Sequence, residues 1–238
     1  MTKMAETATN DRLQYAVAAV LAFGAAGATG ILSLSEGSYF QPYFGNVHPL
    51  LVIALVTVLG VVSLSFLNSR GWFQIYATRK SLKGAFFSAS VATLFAIVMV
   101  LVDLGSRFPR NLNVPPPESL LFYPTMAYVA EIAFHSLPLS LLLFCLGPAF
   151  KKLNVNSVIW LCIALASFLE PIFQMRLRTW EKPLSWAEVY VGPHVFVFNL
   201  LQIYVFRRYD FVAMYSFRLV YYVYWHIVWG YLRVQWLF

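Results

Sequence analysis

Charge is scarce in this chain. Only 11% of its 238 residues are Asp, Glu, Lys or Arg, where a soluble domain carries about a quarter. That shortage excludes a soluble globular domain, and no composition break marks a second unit, so residues 1–238 read as one transmembrane helical domain. Cysteine is scarcer still. Cys145 and Cys162 are the only two and both lie in apolar runs, which excludes a disulfide framework and a cysteine zinc site. The HExxH zinc signature is missing, and no internal repeat is evident. The N-terminus "MTKMAETATNDRLQ" is polar and the apolar run behind it is long. That run reads as a retained span rather than a cleaved signal peptide.

What is abundant is apolar surface, at 60% of residues. Seven apolar runs have spanning length, which is about 20 residues: 15–35, 48–68, 84–104, 120–147, 156–175, 189–206 and 211–236. The expected fold is all-α, a polytopic transmembrane bundle of about seven spans with interfacial helices. "NSRGWFQIYATRKSLKG" and "RLRTWEKPLSWAEVY" read as the interfacial segments, and "RFPRNLNVPPPES" as a proline-rich loop. Pro138 sits where it can kink the long fourth run. Aromatics make up 18% of the chain and crowd its last quarter, as packing groups and interfacial anchors. The formal charge of +7 comes from basic residues in short loops. It therefore bears on orientation in the bilayer rather than on nucleic acid. The loop charges, with Arg233 counted among the external ones, favour a cytoplasmic N-terminus.

A few polar residues interrupt the runs, and charge in hydrocarbon is costly enough to need a reason. Glu131 and His135 are four apart in "AYVAEIAFHSLPLSLLLF" and share one helical face. Glu170 and Gln174 repeat the spacing in the fifth run, and Arg218, Tyr222 and His226 continue it in the seventh. His194 and Asn199 add polar groups to the sixth. At about 1.5 Å per residue, Glu131 and His226 come out level, as do His135 and Tyr222, with Glu170 shallower. The spacing predicts one internal polar site made by Glu131, His135, Glu170, Arg218, Tyr222 and His226. Each also has a plainer reading. Glu131 is then a protonated acid bonded to a hydroxyl, His135 a bundle-stabilising hydrogen bonder and Glu170 a hydrated acid near the interface. Arg218 then snorkels to lipid phosphates, and His194 and His226 are interfacial.

The order of these features resembles the CAAX-processing and bacteriocin-processing (CPBP) family of intramembrane proteases, over roughly residues 120–230. In that family an EExxxR motif is followed by FxxxH and then HxxxN on later helices. Here "AEIAFH" takes the first place, with Ala130 for the first Glu, Glu131 for the second and His135 for Arg. "FLEPI" takes the next, with Phe168 matching and Ile172 where His is expected. "RLVYY" takes the third, with Arg218 for His and Tyr222 for Asn. The resemblance implies hydrolysis of a membrane-associated peptide or protein through a glutamate-activated water. Glu131 would be the base, His226 or His135 the water orienter, and Arg218 or Tyr222 the oxyanion stabiliser. Two other readings stand beside it. One is a non-catalytic protein of the same fold that binds a partner or lipid. The other is a metal or haem protein, since Glu131, Glu170, His135 and His226 could serve a divalent metal and two histidines could serve a haem.

Overall fold

The structure is a computed structural model that describes residues 2–35, 38–147, 153–176 and 186–238. Among these residues there is no strand. The long helices are α1 (Thr2–Ser33), α2 (Pro49–Ser69), α3 (Thr78–Ser106), α4 (Ser119–Cys145), α5 (Val155–Ser167 and Leu169–Arg176), α6 (Trp186–Arg208) and α7 (211–237). The first six contain stretches long and apolar enough to cross a membrane. α7 has the length, but Arg218, His226, Arg233 and many Tyr and Trp residues dilute its apolarity. The chain is a polytopic helical bundle, and its exposed Leu, Val, Ile and Phe side chains suit contact with a lipid bilayer.

The core gathers around α3, α4, α6 and α7, where Phe198 and Phe217 stack edge to face 4.9 Å apart. α3 packs most extensively on the first half of α7. It does so closely because Gly84 meets Ala213 and Tyr209. Three long-range ties join the end of the bundle that carries the α2–α3 connector. The Ile75 N–H donates to Gln14 Oε1 at 3.0 Å, and the Phe211 N–H to the Gln74 carbonyl at 3.0 Å. Asp210 caps α7 by accepting from the Ala213 N–H at 2.8 Å, and it also accepts from the Ser81 hydroxyl and the Ala77 N–H. The connector after Arg70 is therefore not the expected interfacial helix. Residues 71–77 form a loop that folds inward, with Phe73 and Ile75 buried in the core, because a buried apolar side chain is worth more than one left at the interface. Most of "RLRTWEKPLSWAEVY" lies outside the described residues.

Two helices change register in mid-span. In α4 the turn Glu131–Ser136 is π-helical, and the Leu137 N–H bonds to the Ile132 carbonyl five residues back. Pro138 follows at once. It has no N–H for the Phe134 carbonyl, so the α-helical ladder cannot close there. In α7 the turn Val223–Val228 is also π-helical, with the Trp229 N–H on the Tyr224 carbonyl. No proline explains the second. Such turns are frequent at functional sites, and both lie beside the polar residues singled out above.

Candidate functional site

Arg218 on α7 is the hub. Its Nε–H donates to Glu131 Oε1 at 2.7 Å. Its Nη1 donates to Glu170 Oε1 at 2.8 Å and to the Tyr222 hydroxyl at 3.3 Å. Its Nη2 donates to Glu170 Oε2 at 2.7 Å, to Gln202 Oε1 at 2.9 Å and to Asn199 Oδ1 at 3.4 Å. A guanidinium has five N–H groups, and every one has an acceptor here. The fork on Glu170 is bidentate, the strongest geometry for a cation–carboxylate pair. The Phe198 and Tyr222 rings flank the guanidinium at 5.7 and 5.8 Å. Arg218 is thus held inside the bundle rather than snorkelling to lipid phosphates, because two carboxylates wait for it within reach.

Glu131 completes the arrangement from α4. Its Oε1 also accepts from Gln202 Nε2 at 2.5 Å, and its Oε2 lies 2.6 Å from His135 Nδ1. Glu131 and His135 are wholly buried, and Arg218 and Glu170 nearly so. The nitrogen at the other edge of the ring, His135 Nε2, is buried without a hydrogen-bonding partner. Glu170 is not the hydrated interfacial acid of the plainer reading, because Arg218 draws it inward. Gln174 Nε2 also donates to Glu170 Oε1 at 3.2 Å, so two carboxylates, one guanidinium, one imidazole, three amides and one phenol from α4, α5, α6 and α7 form a single connected network.

His226 stands apart from it. The π turn and the 107–118 loop set its position, with Nδ1 2.7 Å from Asn113 Oδ1 and the ring stacked on Tyr123 at 4.6 Å. It touches the network only through Tyr222, edge to face at 4.9 Å. Level depth is therefore not contact: Glu131 pairs with His135 and Arg218 rather than with His226. Among the described residues no three His, Cys, Asp or Glu side chains form a metal-ligand set. The cation between the two carboxylates is Arg218, so Glu131, Glu170, His135 and His226 do not converge on one point.

Three further placements differ from the sequence reading. His194, read as an interfacial group, is turned into the protein, buried between Phe95 and Tyr221 and 3.1 Å from the Tyr190 hydroxyl. Arg233 is not a loop charge. It is fully buried and bidentate on Asp103, through Nε at 2.6 Å and Nη2 at 2.9 Å, and it also donates to the Phe108 and Pro109 carbonyls. The Asp103 carboxylate accepts from Trp229 Nε1 at 2.7 Å and the Phe108 N–H at 2.8 Å as well. This second ion pair is closed on all sides and braces α3 against α7. Gln202, the bridge between Glu131 and Arg218, was missed. "FNLLQIY" puts Asn199 and Gln202 three apart on one helical face, which was the available signal. No family model, curated protein or solved structure matches the chain.

Proposed function

We propose that the chain is a divergent intramembrane peptidase of the CPBP type, cutting a membrane-associated peptide or protein at the Glu131 site. The observation that carries this reading is the buried pair of Glu131 Oε2 and His135 Nδ1 at 2.6 Å, which leaves His135 Nε2 uncommitted. A carboxylate on one ring nitrogen fixes the imidazole's tautomer and orientation and frees the other for proton transfer. The pair then takes a proton from water as its oxygen attacks the scissile carbonyl, and returns it to the leaving amine as the C–N bond breaks. Arg218 positions Glu131 and Glu170. Its N–H groups are all engaged, so the donor nearest to hand for a developing oxyanion is the Tyr222 hydroxyl, which accepts from Arg218 and keeps its own proton. The N-terminus is proposed to be cytoplasmic, on the loop charges.

The closure of the Arg218 network favours one second reading, a non-catalytic member of the same fold whose polar core orders four helices. Glu131→Gln separates the two. It keeps the side chain's shape and takes away the carboxylate that fixes the His135 imidazole. Protein termini in membranes of cells expressing the wild-type chain or the variant are compared by mass spectrometry. A peptidase yields a set of membrane-protein termini that vanish in the variant while its fold and abundance persist. Indistinguishable sets overturn the peptidase reading in favour of the structural one.

A further inference from the structure

One connection between the polar network and the surface has no part in the chemistry above. The segment 107–118, between α3 and α4, crosses the end of the bundle as a strap with two fixed ends. At the first, Phe108 and Pro109 are held by Asp103 and Arg233. At the second, the Pro115, Pro117 and Glu118 carbonyls accept from the first N–H groups of α4. Between these ends Arg110, Asn111, Leu112 and residues 115–117 are exposed, while the half-buried Asn113 and Val114 turn inward, Val114 onto the Phe40–Phe122–Tyr123 cluster and Asn113 toward His226. Asn113 Oδ1 is 2.7 Å from His226 Nδ1 and accepts from the Tyr123 hydroxyl at 3.4 Å. That hydroxyl in turn accepts from the Val114 N–H at 2.9 Å. Asn113 Nδ2 is buried with no partner. Gly230 makes room for the amide, since a Cβ there would lie 2.9 Å from Nδ2.

Beneath Asn113 the contacts run without a break. His226 stacks on Tyr123 and meets the edge of Tyr222, whose hydroxyl touches Arg218. Between the strap and the network there is thus one aromatic layer, capped by one amide. Between its fixed ends the strap is held by three hydrogen bonds and the packing of Val114, a hold small enough to lift, since the net contribution of each such bond is modest. The unpaired Nδ2 makes the seated state less secure still.

We propose that the strap 107–118 is the gate to the Glu131–Arg218 site and that Asn113 is its latch, seated on His226, Tyr123 and Gly230. Water and the peptide substrate enter from the strap's end of the bundle when the latch lifts. This deepens the peptidase reading and rests on it for the identity of what enters.

The test reads access rather than cleavage, so the two can fail separately. Cys145 and Cys162 are replaced by alanine, and Asn199→Cys places a thiol within the network. The protein is reconstituted in vesicles, and a small membrane-impermeant methanethiosulfonate is applied from the strap's side. Asn113→Ala, Gly230→Ala and His226→Gln reach the latch from three separate chain positions, so loss of fold in one does not decide the result. In the folded variants labelling should quicken by about fivefold, the effect of losing roughly one net hydrogen bond. Leu112→Ala, on the exposed crest, should leave the rate unchanged. Latch variants that label within about twofold of the latched protein would overturn the gate, as would equal acceleration by Leu112→Ala. A latch that behaves as expected, in a protein whose wild-type chain cuts nothing, would sink the peptidase reading and leave the gate standing.

Discussion

Every N–H of Arg218 finds an acceptor, and this makes Lys a poor replacement. An ammonium has three donors on a single centre and cannot serve Glu131, Glu170 and Gln202 in one plane. Arg218→Lys should lower stability by about 3 kcal/mol, the lower end for breaking a buried ion pair, and chemical unfolding in detergent would measure it. An arginine that merely snorkelled would tolerate the change. Asp103→Asn tests the second pair in the same way. It leaves Arg233 buried without its anion and should cost about 3–5 kcal/mol. These contacts also show how far single residues were legible. The four-residue spacing found Glu131, His135, Arg218 and Tyr222, because a shared helical face is written in local sequence. Asp103 and Arg233 escaped because each, taken alone, reads as an interfacial charge at a helix end. Only the fold brings positions 130 apart together. His226 was found as polar but placed wrongly, since its partner Asn113 lies in a loop whose path the sequence does not give.

At the scale of the helix, close approach and register decide more than apolarity. Gly84 allows α3 to sit on α7: a Cβ there would lie 2.6 Å from Ala213 Cβ and 2.7 Å from the Tyr209 ring. Gly84→Ala should therefore destabilise by about 1–3 kcal/mol through overpacking. Gly27→Ala, on open helix surface, should be neutral or slightly favourable, as a helical Gly-to-Ala change usually is. Unfolding midpoints of the two variants provide the comparison. Asp210, the cap of α7, lies outside the spans, and burial raises its pKa above the usual 3.8 despite the N–H and hydroxyl groups bonded to it. An acid whose folded pKa is raised contributes stability at low pH that is lost as pH rises through the folded value. Stability should fall as pH rises from below 3.8 through the raised folded value in the wild-type chain, and that fall should be smaller in Asp210→Asn. The runs of apolar residues located the helices because span length is a compositional property. The π turn in α7 left no trace, since no proline or glycine marks it.

For the whole molecule, the helix ends sort into two faces. One carries the α2–α3 connector with Gln14, Ser81 and Asp210. The other carries the α1–α2 connector, the strap and the Asp103–Arg233 pair. In the orientation proposed from the loop charges the first face is the cytoplasmic one, and with Arg233 buried the opposite side counts one charge fewer, which adds to the support for that proposal. Ser81 is buried against Asp210, so the probe for the inner face belongs at Lys80, which is exposed, and the outer probe at Ser38, also exposed. In whole cells, Ser38→Cys should react with an impermeant maleimide and Lys80→Cys should not. The reverse pattern would turn the bundle over and put the strap on the cytoplasmic side.

The π turn in α4 has a meaning in terms of insertion and deletion. A helix that holds one extra residue in a turn is, in effect, two α-helices whose rotational frames disagree by one residue, or about 100°. Glu131 stands at the start of that seam and His135 near its end. Deleting Ala133 should remove the extra residue of the turn while keeping Glu131 in the frame of the first half. The second half could not then keep both its packing and the His135 contact. The deletion should therefore be tolerated by span length and topology but not by the Glu131–His135 pair, a difference that imidazole ¹⁵N shifts would report. A one-residue length difference at this turn between this chain and any other of the same architecture would thus be a change of site rather than of fold.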